Sequence, residues 1–317
     1  MKLMTAAEAV RTLIKDGDQI ALGGFTVNRN PMLMAREMIR QGKRHLYLVV
    51  HSHGQALELL VGAGCVQRVE IAYGGVGRFA PTGFRFKKAF LEKKIEVEDY
   101  SNLQMTLRFM AGAMGMPFVV TRSGLGTDIV RLSGFSPESR GQGRVPRQKL
   151  TLLKDPFDPD GADVVALPPL NPDVALVHAQ YVGEAGTCRF CGLTFADIEQ
   201  AKAAKTVIVT CEEIVPEAYL RREPDRNSLP PFLVDAVVAA PFGAHPTACH
   251  QFYDYDPKHM NLFKQIARDD DRFKAYLDEW VYPFDSQEAY LERVGVRDLL
   301  EIRANPGWGY APGLDRR

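Results

Sequence analysis

The chain has 317 residues, of which 46% are hydrophobic, so it is long enough to bury a large core. Its 39 basic and 39 acidic residues balance, which argues against nucleic acid or an anionic membrane as the main partner. No stretch approaches the roughly 20 apolar residues of a membrane span, and the N-terminus lacks the apolar core of a signal peptide. We therefore expect a cytoplasmic protein with reduced cysteines.

The first half of the chain alternates short apolar strands with helices, which is the pattern of parallel βαβ units. The first helix begins with a capping box at Thr5 to Glu8, and the second has Asn30 as its cap and Pro31 as its first residue. Strands are predicted at 20–22, 46–50, 69–72, 95–97 and 117–121. The later helices of this half are predicted at 31–41, 54–60, 85–93 and 105–114.

The second half continues the alternation and then becomes helical. Residues 131–149 are rich in Gly, Ser, Pro and Arg, so we expect a long surface segment there. Strands follow at 164–167, 174–177, 207–210 and 234–238, with a helix at 195–204 and helical patterns from Phe263 onward. We expect one α/β domain over residues 1–317, with a mostly parallel twisted sheet, helices on both faces, and a helical C-terminal part from about 252 to 317.

Ligands bind at the carboxyl ends of strands in parallel sheets. That rule selects four loops of the first half, which follow consecutive predicted strands: 23–30, 51–55, 74–83 and 99–102. We expect these four loops to converge on one crevice.

A glycine segment connects the first predicted strand to the next helix. Asp16-Gly17 indicates a turn, Ile20 to Leu22 a short strand, and Gly23-Gly24 a sharp bend before Pro31. Such a segment can direct backbone N–H groups at one point, where they suit a phosphate, a carboxylate or an oxyanion. An ordinary tight turn between a strand and a helix is the alternative.

The whole string, through Gly23-Gly24-Phe25 to Pro31, resembles the signature of family I coenzyme A transferases, in which a glycine usually stands at the position of Arg29. Further segments resemble α-subunits of the glutaconate type: 71–73, 98–101, 174–180, 210–214, 235–238 and 243–246. The resemblance implies coenzyme A as a substrate and no permanently bound cofactor.

In this family the thioester is attacked by a glutamate that lies in a Ser-Glu-Asn-Gly-like stretch of the β-type subunit. No Ser-Glu-Asn-Gly occurs in the 317 residues, so the resemblance implies a heterodimer or heterotetramer with a β-type subunit. The substrates would be a dicarboxylic or other polar acyl-CoA and a carboxylate acceptor. One alternative is a subunit of a CoA-thioester decarboxylase or ring-opening hydrolase, and another is a non-catalytic effector-binding subunit.

Two groups of candidate site residues follow. The expected oxyanion and substrate loop consists of Gly23, Gly24, Phe25, Thr26 and Arg29. The expected acyl pocket consists of His51, Ser52, His53, Gly75, Arg78, Arg85, Ser101 and Asn102. A guanidinium in the crevice can bind the distal carboxylate of a dicarboxylic acyl group through two hydrogen bonds, although each arginine could instead be a solvated surface residue.

Glutaconate-type chains carry glycine and alanine around His51 and His53, so these histidines predict a hydrogen-bonding role near a different substrate. In hydrolytic relatives a carboxylate of the 99–102 loop is implied in catalysis, and Ser101 and Asn102 at the equivalent positions argue against hydrolysis.

We expect no metal site, because neither the two histidines nor the Cys-x-x-Cys at Cys188 is followed by a second set of ligands. His178 and His245 are expected in the core or an interface, and Cys211-Glu212-Glu213 has a structural reading and a nucleophile as its alternative.

Overall fold

The computed structural model describes residues 2–315, and within that range the chain forms two β-sheets surrounded by helices. Its strands are β1 (Lys2–Leu3), β2 (Gln19–Leu22), β3 (Leu46–His53), β4 (Val66–Gly74), β5 (Glu96–Asp99), β6 (Val119–Thr121), β7 (Thr151–Lys154), β8 (Asp163–Leu167), β9 (Val174–Gly183), β10 (Cys188–Arg189), β11 (Thr206–Val215) and β12 (Ala236–Ala239). Its α-helices are α1 (Ala6–Leu13), α2 (Met32–Arg40), α3 (Gln55–Gly62), α4 (Phe84–Leu91), α5 (Asn102–Ala113), α6 (Asp128–Arg131), α7 (Asp197–Ala203), α8 (Glu217–Arg221), α9 (Pro257–Ile266), α10 (Asp270–Trp280), α11 (Gln287–Val294) and α12 (Val296–Ile302).

The larger sheet has nine strands in the order β1-β12-β11-β9-β2-β3-β4-β5, and β10 pairs with β9. All neighbours pair in parallel except β10, which is antiparallel to β9. The central strands are buried on both faces, as the near-continuous apolar runs in their sequences predict. The expected mostly parallel sheet is therefore confirmed.

The smaller sheet differs from the sequence prediction. Strands β6 and β8, expected to continue the parallel series, pair antiparallel with each other, and β7 joins β8 on its other side. Val119, Val165 and Leu167 turn toward a core group shared with α5. Short apolar runs indicate strands but not their partners, because the pairing depends on how the connecting segment returns.

Helices cover both faces of the larger sheet. On one face, α1 to α4, α9 and α10 contribute to the largest core group, and on the other, α5 packs together with the smaller sheet. Helix α2 begins at Met32, so Asn30 is not its cap; the Asn30 carboxamide oxygen instead accepts from the N–H of Ala56 in α3, at 3.3 Å.

The C-terminal part is helical, as predicted, and α9 and α10 place Phe263, Phe273 and Tyr276 in the core. Helix α9 starts earlier than its apolar pattern indicated, because the Asp256 carboxylate caps it by accepting from two of its backbone N–H groups. The segment expected on the surface at 131–149 has no strand, but its Phe135 is buried in the core group beside α5. None of the helices between residues 2 and 315 combines the length and hydropathy of a membrane-spanning segment.

Candidate active site

The carboxyl ends of β2, β3, β4 and β5 lie side by side, because these four strands are consecutive neighbours in the sheet. The four loops selected from the sequence follow these ends. Their convergence on one edge is therefore a direct result of the strand order.

The glycine loop after β2 is a tight two-residue hairpin. The N–H of Phe25 donates to the carbonyl of Asn28 at 2.8 Å, and the reverse bond is 2.7 Å long. Gly24 has φ +83°, and a Cβ there would overlap the carbonyl oxygens of Asn28 and Arg29. Gly24 is consequently required by the fold of the loop itself, before any ligand is considered.

Arg29 is buried beneath the loop rather than directed into the crevice. Its guanidinium bonds both oxygens of the Asp197 carboxylate, at 3.3 and 3.2 Å, and donates to the carbonyls of His178 and Leu193. Both charged side chains are at most 2% exposed. The expectation that Arg29 binds a substrate carboxylate is wrong, because the guanidinium already neutralises Asp197 in the interior.

Asp197, the first residue of α7, was missed at the sequence level. Its carboxylate also accepts the N–H of Gly24 at 2.8 Å. Burial raises the pKa of Asp197, while the charge of Arg29 and these hydrogen bonds oppose the rise. The only sequence signal was an acidic residue in the first turn of a helix, which many helices share.

The backbone amides of the loop are mostly engaged within the chain. The N–H of Gly23 donates to Leu176, that of Gly24 to Asp197, and that of Thr26 to Ser52. The expectation that Gly23 and Gly24 hold free oxyanion donors is therefore corrected. Among the described residues 23–30, Val27 at the hairpin tip is the non-proline residue whose amide has no acceptor.

Aromatic rings border the loop on its outer side. The half-buried rings of Phe25 and Phe195 stack with centroids 4.3 Å apart, and the His51 ring lies 5.7 Å from Phe25. Phe195 was not identified from the sequence. Beside them the Ser52 hydroxyl donates to the side-chain oxygen of Asn102 at 2.6 Å, so four of the predicted site residues lie at one rim.

His53 is completely buried, and its Nε2 lies 3.0 Å from the carbonyl oxygen of Gly23. Since a carbonyl only accepts, Nε2 carries the proton in the neutral ring. Desolvation lowers the pKa of His53 to about 4, and it also lowers the pKa of the half-buried His51. Both rings are therefore neutral near pH 7, and His53 supports the glycine loop from below.

Other predicted pocket residues have structural contacts. Arg85 is 6% exposed, pairs with Asp270 and stacks on Phe273, so it lies among helices α3, α4 and α10 and not in the crevice. The Ser101 hydroxyl caps α5 by accepting from the N–H of Gln104, which corrects its assignment to the acyl pocket.

Gly75 and Arg78 both belong to the loop after β4. The N–H of Gly75 donates to the carbonyl of His53, and the space a Cβ would need is filled by Tyr73 and Pro81. Arg78 is exposed, lies over the rings of Phe79 and Tyr255, and donates to the carbonyl of Asp315. Of the three arginines considered for carboxylate binding, Arg78 alone faces solvent.

One buried group has the residue types of a metal site. His178, Glu212 and Cys249 lie together in the interior, but His178 is hydrogen-bonded through both ring nitrogens, to Thr210 and Glu212. Glu212 also accepts from the hydroxyl of Tyr253 and the N–H of Phe242. These contacts support the structural readings of His178 and Glu212, because a ligand atom committed to a hydrogen bond cannot also bind an ion. All five cysteines are free thiols.

The sequence model of the coenzyme A transferase family matches residues 3–240. The A-type subunit of glutaconate CoA-transferase from Acidaminococcus fermentans is 36% identical over 98% of this chain and 97% of its own length. The crystal structure of that transferase superimposes with a TM-score of 0.95 over 99% of both chains. The chain belongs to the coenzyme A transferase family.

Two further relatives show the range of the family. The A-type subunit of 3-oxoadipate CoA-transferase from Pseudomonas knackmussii is 32% identical over 96% of this chain and 97% of its own length. The decarboxylase AibA/AibB is similar in structure, with a TM-score of 0.73, 30% identity, and coverage of 87% of this chain and 98% of the matched chain.

The first prediction concerns Gly24. Gly24→Ala should lower the free energy of unfolding by about 4 kcal/mol or more, because the new Cβ overlaps the loop backbone. Gly17→Ala is the matched control: its φ of +80° is equally left-handed, but no atom lies within 4 Å of the added Cβ. The control should cost about 1–2 kcal/mol in urea denaturation. Equal losses would mean that the backbone angle, and not the overlap, makes Gly24 necessary.

The second prediction concerns Arg29. Arg29→Ala should cost about 3–5 kcal/mol, because Asp197 is left buried without its counter-charge. Arg122→Ala, at a surface arginine paired with Asp155, should cost at most about 1 kcal/mol in the same denaturation experiment. An Arg29 variant as stable as the Arg122 variant would contradict the assigned role.

The third prediction concerns His53. Its folded-state pKa of about 4 lies below the ordinary value of 6.5, so its contribution is present above pH 6.5 and is lost as the pH falls toward 4. Between pH 7 and pH 5 the wild type should lose about 2 kcal/mol more stability than His53→Asn. His45→Asn, at an exposed histidine, should keep the wild-type pH dependence. Identical curves for all three proteins would exclude His53 as the titrating group.

Proposed function

We propose that this chain is the α-subunit of a heteromeric CoA transferase. It would move coenzyme A between an acyl-CoA, preferably dicarboxylic, and a carboxylate acceptor, together with a β-type subunit. The observation that supports this most strongly is the match to the glutaconate transferase over nearly the entire chain. The second relative, which acts on 3-oxoadipate by its name, also supports a dicarboxylic substrate.

The carboxylates around the candidate site are consistent with a nucleophile from another chain. Asp197, next to the glycine loop, is buried and paired with Arg29, and Glu212 is committed to His178 and Tyr253. A nucleophilic carboxylate must approach the thioester carbon with a free oxygen. The partner's glutamate would attack the acyl-CoA to give an acyl anhydride and the CoA thiolate. The thiolate would then attack the anhydride to give a glutamyl-CoA thioester and the free acid.

This chain would form one wall of the reaction site. The stacked rings of Phe25 and Phe195 would exclude water from the anhydride, which water otherwise hydrolyses. The unpaired amide of Val27 is the loop donor that could stabilise the oxyanion formed in each attack. His51, Ser52 and Asn102 would contact the acyl chain through neutral hydrogen-bonding groups, and Arg78 is the arginine left to bind a distal carboxylate.

A decarboxylase is the second candidate, because the AibA/AibB structure shows that the same fold serves that reaction in a related protein. Hydrolysis is less well supported: the 99–102 loop presents Asn102 at the rim, and its Asp99 carboxylate pairs with Lys149. A thioester decarboxylase would release carbon dioxide and keep CoA on the same acyl group, whereas a transferase moves CoA to a new acid.

The fourth prediction tests this function. The purified chain alone should exchange no CoA, and the chain with its β-type subunit should transfer CoA from acetyl-CoA to glutarate or 3-oxoadipate faster than to propionate. Borohydride reduction during turnover should modify a glutamate of the partner and no residue of this chain, as mass spectrometry of both subunits can establish. Exchange by the isolated chain, or carbon dioxide release without exchange, would refute the transferase assignment.

A further inference from the structure

Helix α5 is apolar on two opposite sides. Its inner side packs Met105, Phe109 and the buried Arg108 against the sheet. Its outer side presents Leu103, Leu107, Met110 and Met114, a set spaced by four, three and four residues, which lies along one face of a helix. Leu103 is 52% exposed, Met110 39% and Met114 70%. We call these four residues the α5 stripe.

The surroundings of the α5 stripe lack charge. Residues 102–121 contain a single charged residue, Arg108, which is fully buried and paired with Glu70. A solvent-facing helix normally carries charges on its outer side, and the cores of protein interfaces are depleted of charge and enriched in Met. The exposed apolar residues of α12, Val296 and Leu300, offer a contrast because they stand among Arg297, Asp298 and Glu301.

The α5 stripe begins at the candidate active site. Asn102, whose side chain accepts the Ser52 hydroxyl at the rim, immediately precedes Leu103. Leu193, which is 74% exposed, lies close in sequence to Phe195 of the rim and extends the apolar surface there. A protein chain that covers the stripe would therefore also reach the edge of the reaction site.

We propose that the α5 stripe is the docking surface for the nucleophile-bearing subunit. The inference rests on the proposed function, because it identifies the occupant by what the site lacks. The carboxylates beside the glycine loop are already paired, so the missing group must come from a chain that lies against the rim. Another copy of this chain would bury the stripe but would bring no nucleophilic glutamate.

The geometry suits helix-to-helix packing. The twelve residues of α5 extend for about 18 Å, and the stripe follows the row along which ridges of one helix fit grooves of another. A partner helix about 8–10 Å away would bury all four side chains and could direct a loop at its end toward Asn102. The α5 stripe would thus set the position of the nucleophile as well as the strength of the complex.

The fifth prediction uses a double variant, Leu103→Glu with Met110→Glu, in the full-length chain. Two desolvated charges at a docking helix should weaken binding to the β-type subunit by at least about 30-fold in analytical ultracentrifugation or calorimetry. The matched control, Val296→Glu with Leu300→Glu on α12, places the same charges at equally exposed apolar positions and should change the dissociation constant less than twofold. Circular dichroism should show wild-type helix content for both.

The outcomes separate the two proposals. Weaker binding only in the α5 variant, with exchange activity regained at saturating partner, supports the docking surface. Unchanged binding in the α5 variant, or self-association of the isolated wild-type chain that the α5 substitutions abolish, overturns it. A wild-type complex that assembles but moves no CoA overturns the proposed function and still leaves the docking measurement valid.

Discussion

The buried ion pair between Arg29 and Asp197 determines the architecture of the candidate site. Two charges without water must neutralise each other, and this pair joins the glycine loop after β2 to the start of α7. Through the carbonyl of His178 and the N–H of Gly24, it also connects β9 with the sharpest bend of the loop. The hairpin tip is therefore held rigidly above the sheet edge, where the thioester would bind.

This constraint decides which groups are left for chemistry. With Arg29 and Gly24 committed to the interior, and Arg85 committed to Asp270, the rim consists of aromatic rings and neutral polar groups. Such a wall can exclude water and orient an acyl chain, but it offers no nucleophile. The family relationship gives the same division, since the glutaconate and 3-oxoadipate relatives are each one of the two kinds of subunit in their transferases.

The outer side of α5 fits this division of roles. A helix that buries one apolar face in its own core and exposes another with no charge beside it is stable in isolation but incomplete. Because the exposed face starts at Asn102, assembly and completion of the site would occur together. Activity would then arise at the contact between subunits and not within either one.

Much of the architecture was present in the sequence. Apolar runs and helix caps predicted nearly all elements of the parallel sheet, and strand order placed the four selected loops along one edge. The family followed from the glycine segment, whose motif is local. The antiparallel pairing of β6 and β8 did not follow, because hydrophobic periodicity carries no information about partners.

The roles of individual side chains depended on contacts between distant residues. Arg29 and Asp197 are 168 positions apart, and Arg85 and Asp270 are 185 positions apart, so neither partner was visible from local pattern. An arginine near a predicted crevice has the same sequence signature whether it binds substrate or a buried acid. The sequence by itself determined the family, the strands and the edge at which the site lies. Only the tertiary structure decided which polar groups remain available there, because burial makes charges seek partners across the fold.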